Sequence, residues 1–180
     1  MSLVYFTWDT GWLLEMTIYL ATLPDASICL AKMKSWIDTT LAHNNIWLVL
    51  VFHGVDSVGW EWLPHEVIGN YFQFIKQHED SLWVATFGDV ARYMRERMEA
   101  KVQSKVNADT ILVTLHHSLD TGMYNIPLTL KTYIPEAWKK IQVKQGDKIT
   151  EANPQKDKNG SYILYQAYAN TTPVELLEEK

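Results

Sequence analysis

A single cysteine, Cys29, stands in 180 residues, so no intrachain disulfide can staple the fold and the redox compartment is left open. Its ordinary role is that of a small core residue. No run of lysine and arginine interleaves with aromatics in the manner that tracks a phosphate backbone, and the net charge is -5, so no nucleic-acid partner is expected. Long uncharged apolar runs are missing too. The stretch from Gly11 to Leu23 is interrupted by Glu15, and no basic segment precedes it, which fits neither a membrane span nor a signal peptide. Location is therefore not read from the chain. There is no glycine-rich phosphate loop, and Ser27, Ser57 and Ser118 lack the context of an activated serine. No two of the six histidines stand three or four residues apart, the spacing that puts two ligands on one helical face, so no complete metal site is expected within the chain.

What remains is ordinary in bulk: 47% hydrophobic and 21% charged residues, in a chain long enough for one domain or one domain with a small appendix. Such a chain can bury roughly 70% of its unfolded surface. Eight tryptophans are the unusual count. Flat aromatic faces suit sugar rings, but tryptophan also fills cores.

The stretch that organises the chain is Ile46-Trp47-Leu48-Val49-Leu50-Val51-Phe52 followed by His53-Gly54-Val55-Asp56. A continuous apolar run of this length reads as a strand covered on both faces, as in a parallel sheet. Ligands in such sheets sit beyond the carboxyl ends of the strands, which makes His53 a site candidate. Upstream, Leu3 to Trp8 reads as a strand ending at Asp9, whose aspartate before Thr10-Gly11 favours a turn on its own account. A helix capped by Asp25 or Ser27 follows, with Leu30, Met33, Trp36, Ile37 and Leu41 at helical spacing, and the two strands and helix form one β-α-β unit.

Beyond His53 a glycine-bearing loop carries Trp60 and Trp62, and Pro64 opens a helix with Val67, Ile68, Tyr71, Phe72 and Ile75 on one stripe. Leu82 to Phe87 reads as a further strand. Thr86 and Asp89 then resemble a capping box for a helix in which Val90, Tyr93, Met94 and Met98 face inward and Arg92, Arg95, Glu96, Arg97 and Glu99 face solvent. From about residue 107 the texture becomes β-rich, with runs 111–115, 126–133, 141–143 and 162–165 broken by turn residues, Asn159-Gly160 among them. The chain accordingly divides into 1–106, an α/β part, and 107–180, a small all-β, sandwich-like module.

His53 is the candidate acid or base, and Asp9, Asp56 and Glu61 are its candidate carboxylate neighbours. His43 and His78 lie at helix ends and His65 in a first turn. His116 and His117 are adjacent in an extended run, so their side chains point to opposite faces.

The block from Trp47 to Asp56, together with Leu82-Trp83-Val84-Ala85-Thr86-Phe87-Gly88-Asp89-Val90-Ala91-Arg92-Tyr93, resembles the C-terminal half of polysaccharide deacetylases, carbohydrate esterase family 4. Pro127-Leu128-Thr129-Leu130-Lys131-Thr132 and Pro135 to Trp138 resemble an extension found on one bacterial branch of that family. The resemblance implies the C-terminal portion of a distorted (β/α) barrel and a metal-dependent hydrolase that removes acetyl groups from carbohydrate. It implies His53 as the general acid toward the leaving group, Val51 as a wall of the acetyl pocket, and Asp9 and Trp12 as orienting or pocket residues. Asp56, Trp60 and Trp62 join the candidate pocket, with an acetylated polysaccharide as partner.

The resemblance also implies a divalent, zinc-like metal in the complete enzyme. The family's Thr-Phe-Asp-Asp-Gly start, its histidine pair three residues apart and its arginine-proline motif do not occur in the 180 residues. A closed (β/α) barrel needs about 200 to 250 residues, so half a barrel is expected here, inactive alone and either oligomeric or joined to a missing N-terminal half. The alternative is a non-catalytic glycan-binding or scaffold protein of the same fold.

Overall fold

A computed structural model describes residues 4–6, 12–15, 26–43, 46–60, 62–107 and 109–179, with the backbone alone at 4–6 and 12–15. The candidates Asp9 and Glu61 lie outside the described residues, as does the side chain of Trp12. The elements run β1 (Val4–Phe6), β2 (Trp12–Glu15), α1 (Ala26–Ala42), β3 (Ile46–Val49), β4 (Gly54–Val55), β5 (Val58–Gly59), α2 (His65–Lys76) and α3 (Phe87–Glu99). Eight further strands follow: β6 (Lys101–Asn107), β7 (Thr110–His116), β8 (Leu128–Tyr133), β9 (Ile141–Gln145), β10 (Lys148–Ala152), β11 (Gln155–Asp157), β12 (Gly160–Ala167) and β13 (Val174–Glu178). No described helix is long and apolar enough to cross a membrane.

The fold mixes helix and sheet in two compact units that divide between Ala85 and Thr86, not at residue 106. β1 also belongs with the later unit. The reason is pairing. β6, which composition alone did not separate from the preceding helix, lies antiparallel to β7 over seven residue pairs from Lys101↔His116 to Asn107↔Thr110.

In the earlier unit, β2, α1 and β3 make the expected β-α-β unit, but its first strand is Trp12–Glu15, parallel to β3 from Trp12↔Ile46 to Glu15↔Val49. Of the run at Leu3 to Trp8, Val4–Phe6 contributes instead to the other unit, pairing antiparallel with β8. The long apolar run around Val49 is a strand over Ile46–Val49, and Leu50, Val51 and Phe52 continue it outside the strand. Likewise Leu82 to Thr86 forms no strand, and Phe87 already begins α3. Cys29, Met33, Trp36 and Ile37 on α1 and Val67, Tyr71 and Ile75 on α2, each at helical spacing, form the core of this unit with Leu63. Leu48, Leu50 and Phe52 pack against it half-buried. No closed barrel is formed by the described strands.

The later unit is a sandwich of two antiparallel sheets, ordered β1-β8-β12-β11 and β10-β9-β13-β7-β6. Strict alternation in β7, β8 and β12 turns Ile111, Val113, Leu115, Leu128, Leu130, Ile163 and Tyr165 inward onto a shared core with Val143, Val174 and Leu176. The Asn-Gly signal is right: β11 and β12 form a hairpin with Asp157 opposite Gly160, whose φ of 130° is open to glycine.

Thr86 caps α3 as expected, its hydroxyl accepting from the Asp89 amide. The orientation of the rest of the helix differs from the expected one. Met98 is 72% exposed, whereas Glu96, expected in solvent, is 1% exposed. Glu96 Oε1 lies 3.2 Å from Nε2 of the buried His117, and Oε2 accepts from the Ile126 amide at 2.8 Å. His117 Nδ1 accepts from the Leu119 amide and from the Asn170 amide group, each at 3.2 Å, which assigns the ring proton to Nε2, facing Glu96. The stripe that buries Tyr93 thus continues through Glu96, because a polar partner waits there.

Candidate functional site

His53 follows directly from the run that begins at β3 and precedes a two-residue hairpin. Asp56 and Ser57 form its turn with φ of 49° and 68°, the doubly left-handed geometry that matches strand twist in tight hairpins. Gly54 and Gly59 face each other across it. A Cβ on Gly54 would stand 2.0 Å from the Val58 carbonyl oxygen, and one on Gly59 2.4 Å from that of His53. The absence of side chains there lets the backbone of His53 sit tight against the returning strand. The chain then turns back along the far side of β4, where the Asp56 amide donates to the Leu63 carbonyl and the Leu63 amide to the Gly54 carbonyl, both at 3.1 Å.

The exposed His53 ring meets the edge of Trp60, with centroids 5.0 Å apart and planes at 61°. Trp60 is 64% exposed, Trp62 43% and Val51 45%, so these three candidates are all available at the surface. Asp56 does not serve His53. Its carboxylate takes the backbone N–H of His65 at 2.9 Å and lies 2.8 Å from His65 Nδ1, tying the hairpin tip to the start of α2. Among the described residues no carboxylate bonds the His53 ring, and the other two candidates for that role, Asp9 and Glu61, are not described.

His65 Nε2 also lies 3.4 Å from Glu66 Oε1, so Asp56, His65 and Glu66 bring three ligand-type groups within 4.8 Å of one another. All three are exposed, and such clusters are common without an ion. This donor set is not the aspartate and paired histidines that the resemblance implies for a zinc-like metal.

The spacing signal for His65 was present in the sequence only as a first-turn histidine after Pro64. Its pairing with Asp56 needed the left-handed turn. The buried pair Glu96 and His117 carries no sequence signal beyond an acidic residue on the Tyr93 stripe and a histidine at a strand end.

No protein-family model matches the chain. No solved structure matches it. Over 104 residues, 57% of this chain, it is 27% identical to a gellan lyase of a Bacillus species. The match spans about 4% of that relative's length.

Proposed function

We propose that this chain is the C-terminal portion of a polysaccharide deacetylase in which His53 is the general acid. The observation that supports the reading best is the presentation of His53. It is an exposed imidazole at the end of an apolar run, held by a glycine-pinched hairpin and met by the exposed indole of Trp60, with Trp62 exposed two residues further on. Similarity to a gellan lyase agrees with a carbohydrate partner. In this role the protonated ring gives its proton to the leaving amine or alcohol as the tetrahedral intermediate collapses, a contribution of about 10²–10⁴ in rate. Val51 lines the acetyl side, and the indoles take the sugar faces. A metal, where bound in the complete enzyme, supplies the activated water and Lewis acid. Those ligands belong to the half that the 180 residues lack.

The test has two arms. The coding sequence immediately upstream is expected to carry an Asp-Asp motif and a histidine pair in frame, and their absence would end the reading. The 180 residues alone are expected to show no turnover of acetylated xylan or acetylated amino-sugar oligomers, with or without added zinc. Turnover with stoichiometric metal would refute the incompleteness. Exposed Val51, Phe72, Trp83 and Val84 also favour association with a partner half or a second copy, and light scattering showing a stable monomer would count against it. The second reading, a glycan-binding scaffold, rests on the same exposed Trp60 and Trp62. It expects sugar-dependent quenching of tryptophan fluorescence without metal.

A further inference from the structure

Each asparagine holds an electrophile, the carboxamide carbon Cγ, beside a nucleophile, the backbone nitrogen of the next residue. Whether the two react depends on the bulk of that next residue and on what holds its N–H. Asn153 precedes Pro154, which has no N–H to lose. Asn70 lies inside α2, where the helix fixes the Tyr71 amide. Beyond Asn125 stands the β-branched Ile126, whose amide donates to Glu96 at 2.8 Å. Asn170 is held by His117, its Oδ1 accepting the His117 N–H at 3.1 Å and its amide group reaching Nδ1 at 3.2 Å.

Asn159 differs. It is exposed in the turn of the β11–β12 hairpin, and its successor is Gly160, with no Cβ to crowd the approaching carboxamide. A Cβ built there would meet nothing within 4 Å, so the neighbourhood is open as well. β11 has three residues and lies at the edge of its sheet, the kind of element that opens locally at little cost and frees the amides of its turn. What restrains the side chain is a small cluster. Asn159 Nδ2 donates to the Tyr133 hydroxyl at 3.2 Å, Tyr133 donates to Asp157 at 2.8 Å, and Lys131 pairs with the same carboxylate oxygen. The backbone N–H of Asn159 donates to the other Asp157 oxygen at 2.7 Å.

We propose that Asn159 is a site of spontaneous deamidation, restrained by Tyr133, that turns a donor of this cluster into a carboxylate. The Gly160 nitrogen bonds to Asn159 Cγ and the Cγ–Nδ2 bond breaks. The proton that the Gly160 nitrogen loses is made good on the departing nitrogen, so ammonia leaves and a cyclic imide remains. Water then opens the ring at either carbonyl, giving aspartate or isoaspartate. The net change is one water consumed and one ammonia released, with no oxidant and no enzyme. Either product sets a carboxylate where an N–H donor met the Tyr133 hydroxyl. That hydroxyl has a single proton to give, and Asp157 already takes it, so two carboxylates compete for Tyr133 and Lys131 and repel each other. Isoaspartate also lengthens the backbone inside the turn that pairs Asp157 with Gly160. Both changes loosen β11 from β12. The inference stands whether or not His53 is a general acid.

Incubation of the full chain near neutrality and in mild alkali, followed by peptic digestion in acid and mass mapping, tests it. A gain of about 1 Da is expected at Asn159, faster in alkali and with isoaspartate among the products. It should run at least about tenfold faster there than at Asn70, Asn125 or Asn170. Tyr133→Phe, which frees Nδ2 and keeps the ring, should speed it about two- to tenfold, with circular dichroism checking that the fold is kept. Asn159→Asp, which copies one product, should raise hydrogen exchange in β11 and leave β7 as it was. No gain at Asn159, an equal gain at the other three asparagines, a slower reaction in Tyr133→Phe, or unchanged β11 exchange in Asn159→Asp would each overturn the proposal.

Discussion

Replacing Glu96 with alanine strips two donors of their acceptor at once, the buried His117 Nε2 and the part-buried Ile126 amide. An unpaired buried donor costs about 1–3 kcal/mol, and alanine returns only a few tenths through helix propensity. The expected loss is about 2–5 kcal/mol, from two such donors less the propensity gain. Against a domain stability of about 5–15 kcal/mol that is a large fraction. Guanidinium unfolding followed by circular dichroism measures the total, and hydrogen exchange at the Ile126 amide reads the site directly. Glu96→Gln can satisfy one donor but sets its own NH2 against the other, so about 1–2 kcal/mol is expected. In a double-mutant cycle with His117→Ala the two losses should overlap by about 1–3 kcal/mol. A loss under about 0.5 kcal/mol for Glu96→Ala, the norm for solvent-facing substitutions, would refute the buried latch.

Two further perturbations follow from other parts of the structure. The Lys131 ammonium, bonded to Asp157, holds that carboxyl down from 3.8 to about 2, helped by the Asn159 amide and the Tyr133 hydroxyl. A depressed carboxyl stabilises the fold above its unfolded value and loses that contribution as pH falls from about 4 toward 2. The gap in melting temperature between wild type and Asp157→Asn should therefore be full at pH 6 and close by pH 2, and a gap independent of pH would sink the assignment. Gly59→Ala sets a Cβ 2.4 Å from the His53 carbonyl oxygen at a φ of 90° and should cost about 2 kcal/mol or more. It should also erase the ring-current shift that Trp60 imposes on the His53 imidazole protons. Gly69→Ala, within α2 and with open space around it, should instead gain about 0.5–1 kcal/mol, so equal effects at the two glycines would contradict the hairpin geometry.

Local rules carried the sequence a long way. The apolar stripes at Met33, Trp36 and Ile37 and at Val67, Tyr71 and Ile75 specify α1 and α2 because helical spacing is a property of the chain alone. Thr86 with Asp89 marks the start of α3, and alternation marks β7, β8 and β12, for the same reason. His53 was visible as the polar end of an apolar run, and it is exposed. Strands whose identity depends on a partner were not legible. Leu50 to Phe52 and Leu82 to Thr86 have strand composition but pair with no described strand, whereas β6, with the pattern of a polar linker, has a full ladder. Asp56 looked like a neighbour for His53 until the left-handed turn aimed it at His65.

The division of roles is physical. Periodicity, capping and turn chemistry act within a few residues, so the sequence by itself determined the helices, most of the sandwich strands and the histidine at the end of the apolar run. Hydrogen-bond ladders and buried polar pairs join residues far apart in the chain, 21 positions for Glu96 and His117 and 26 for Lys131 and Asp157. Only the tertiary structure decided which edges pair, where the two units divide, and which carboxylate meets which histidine.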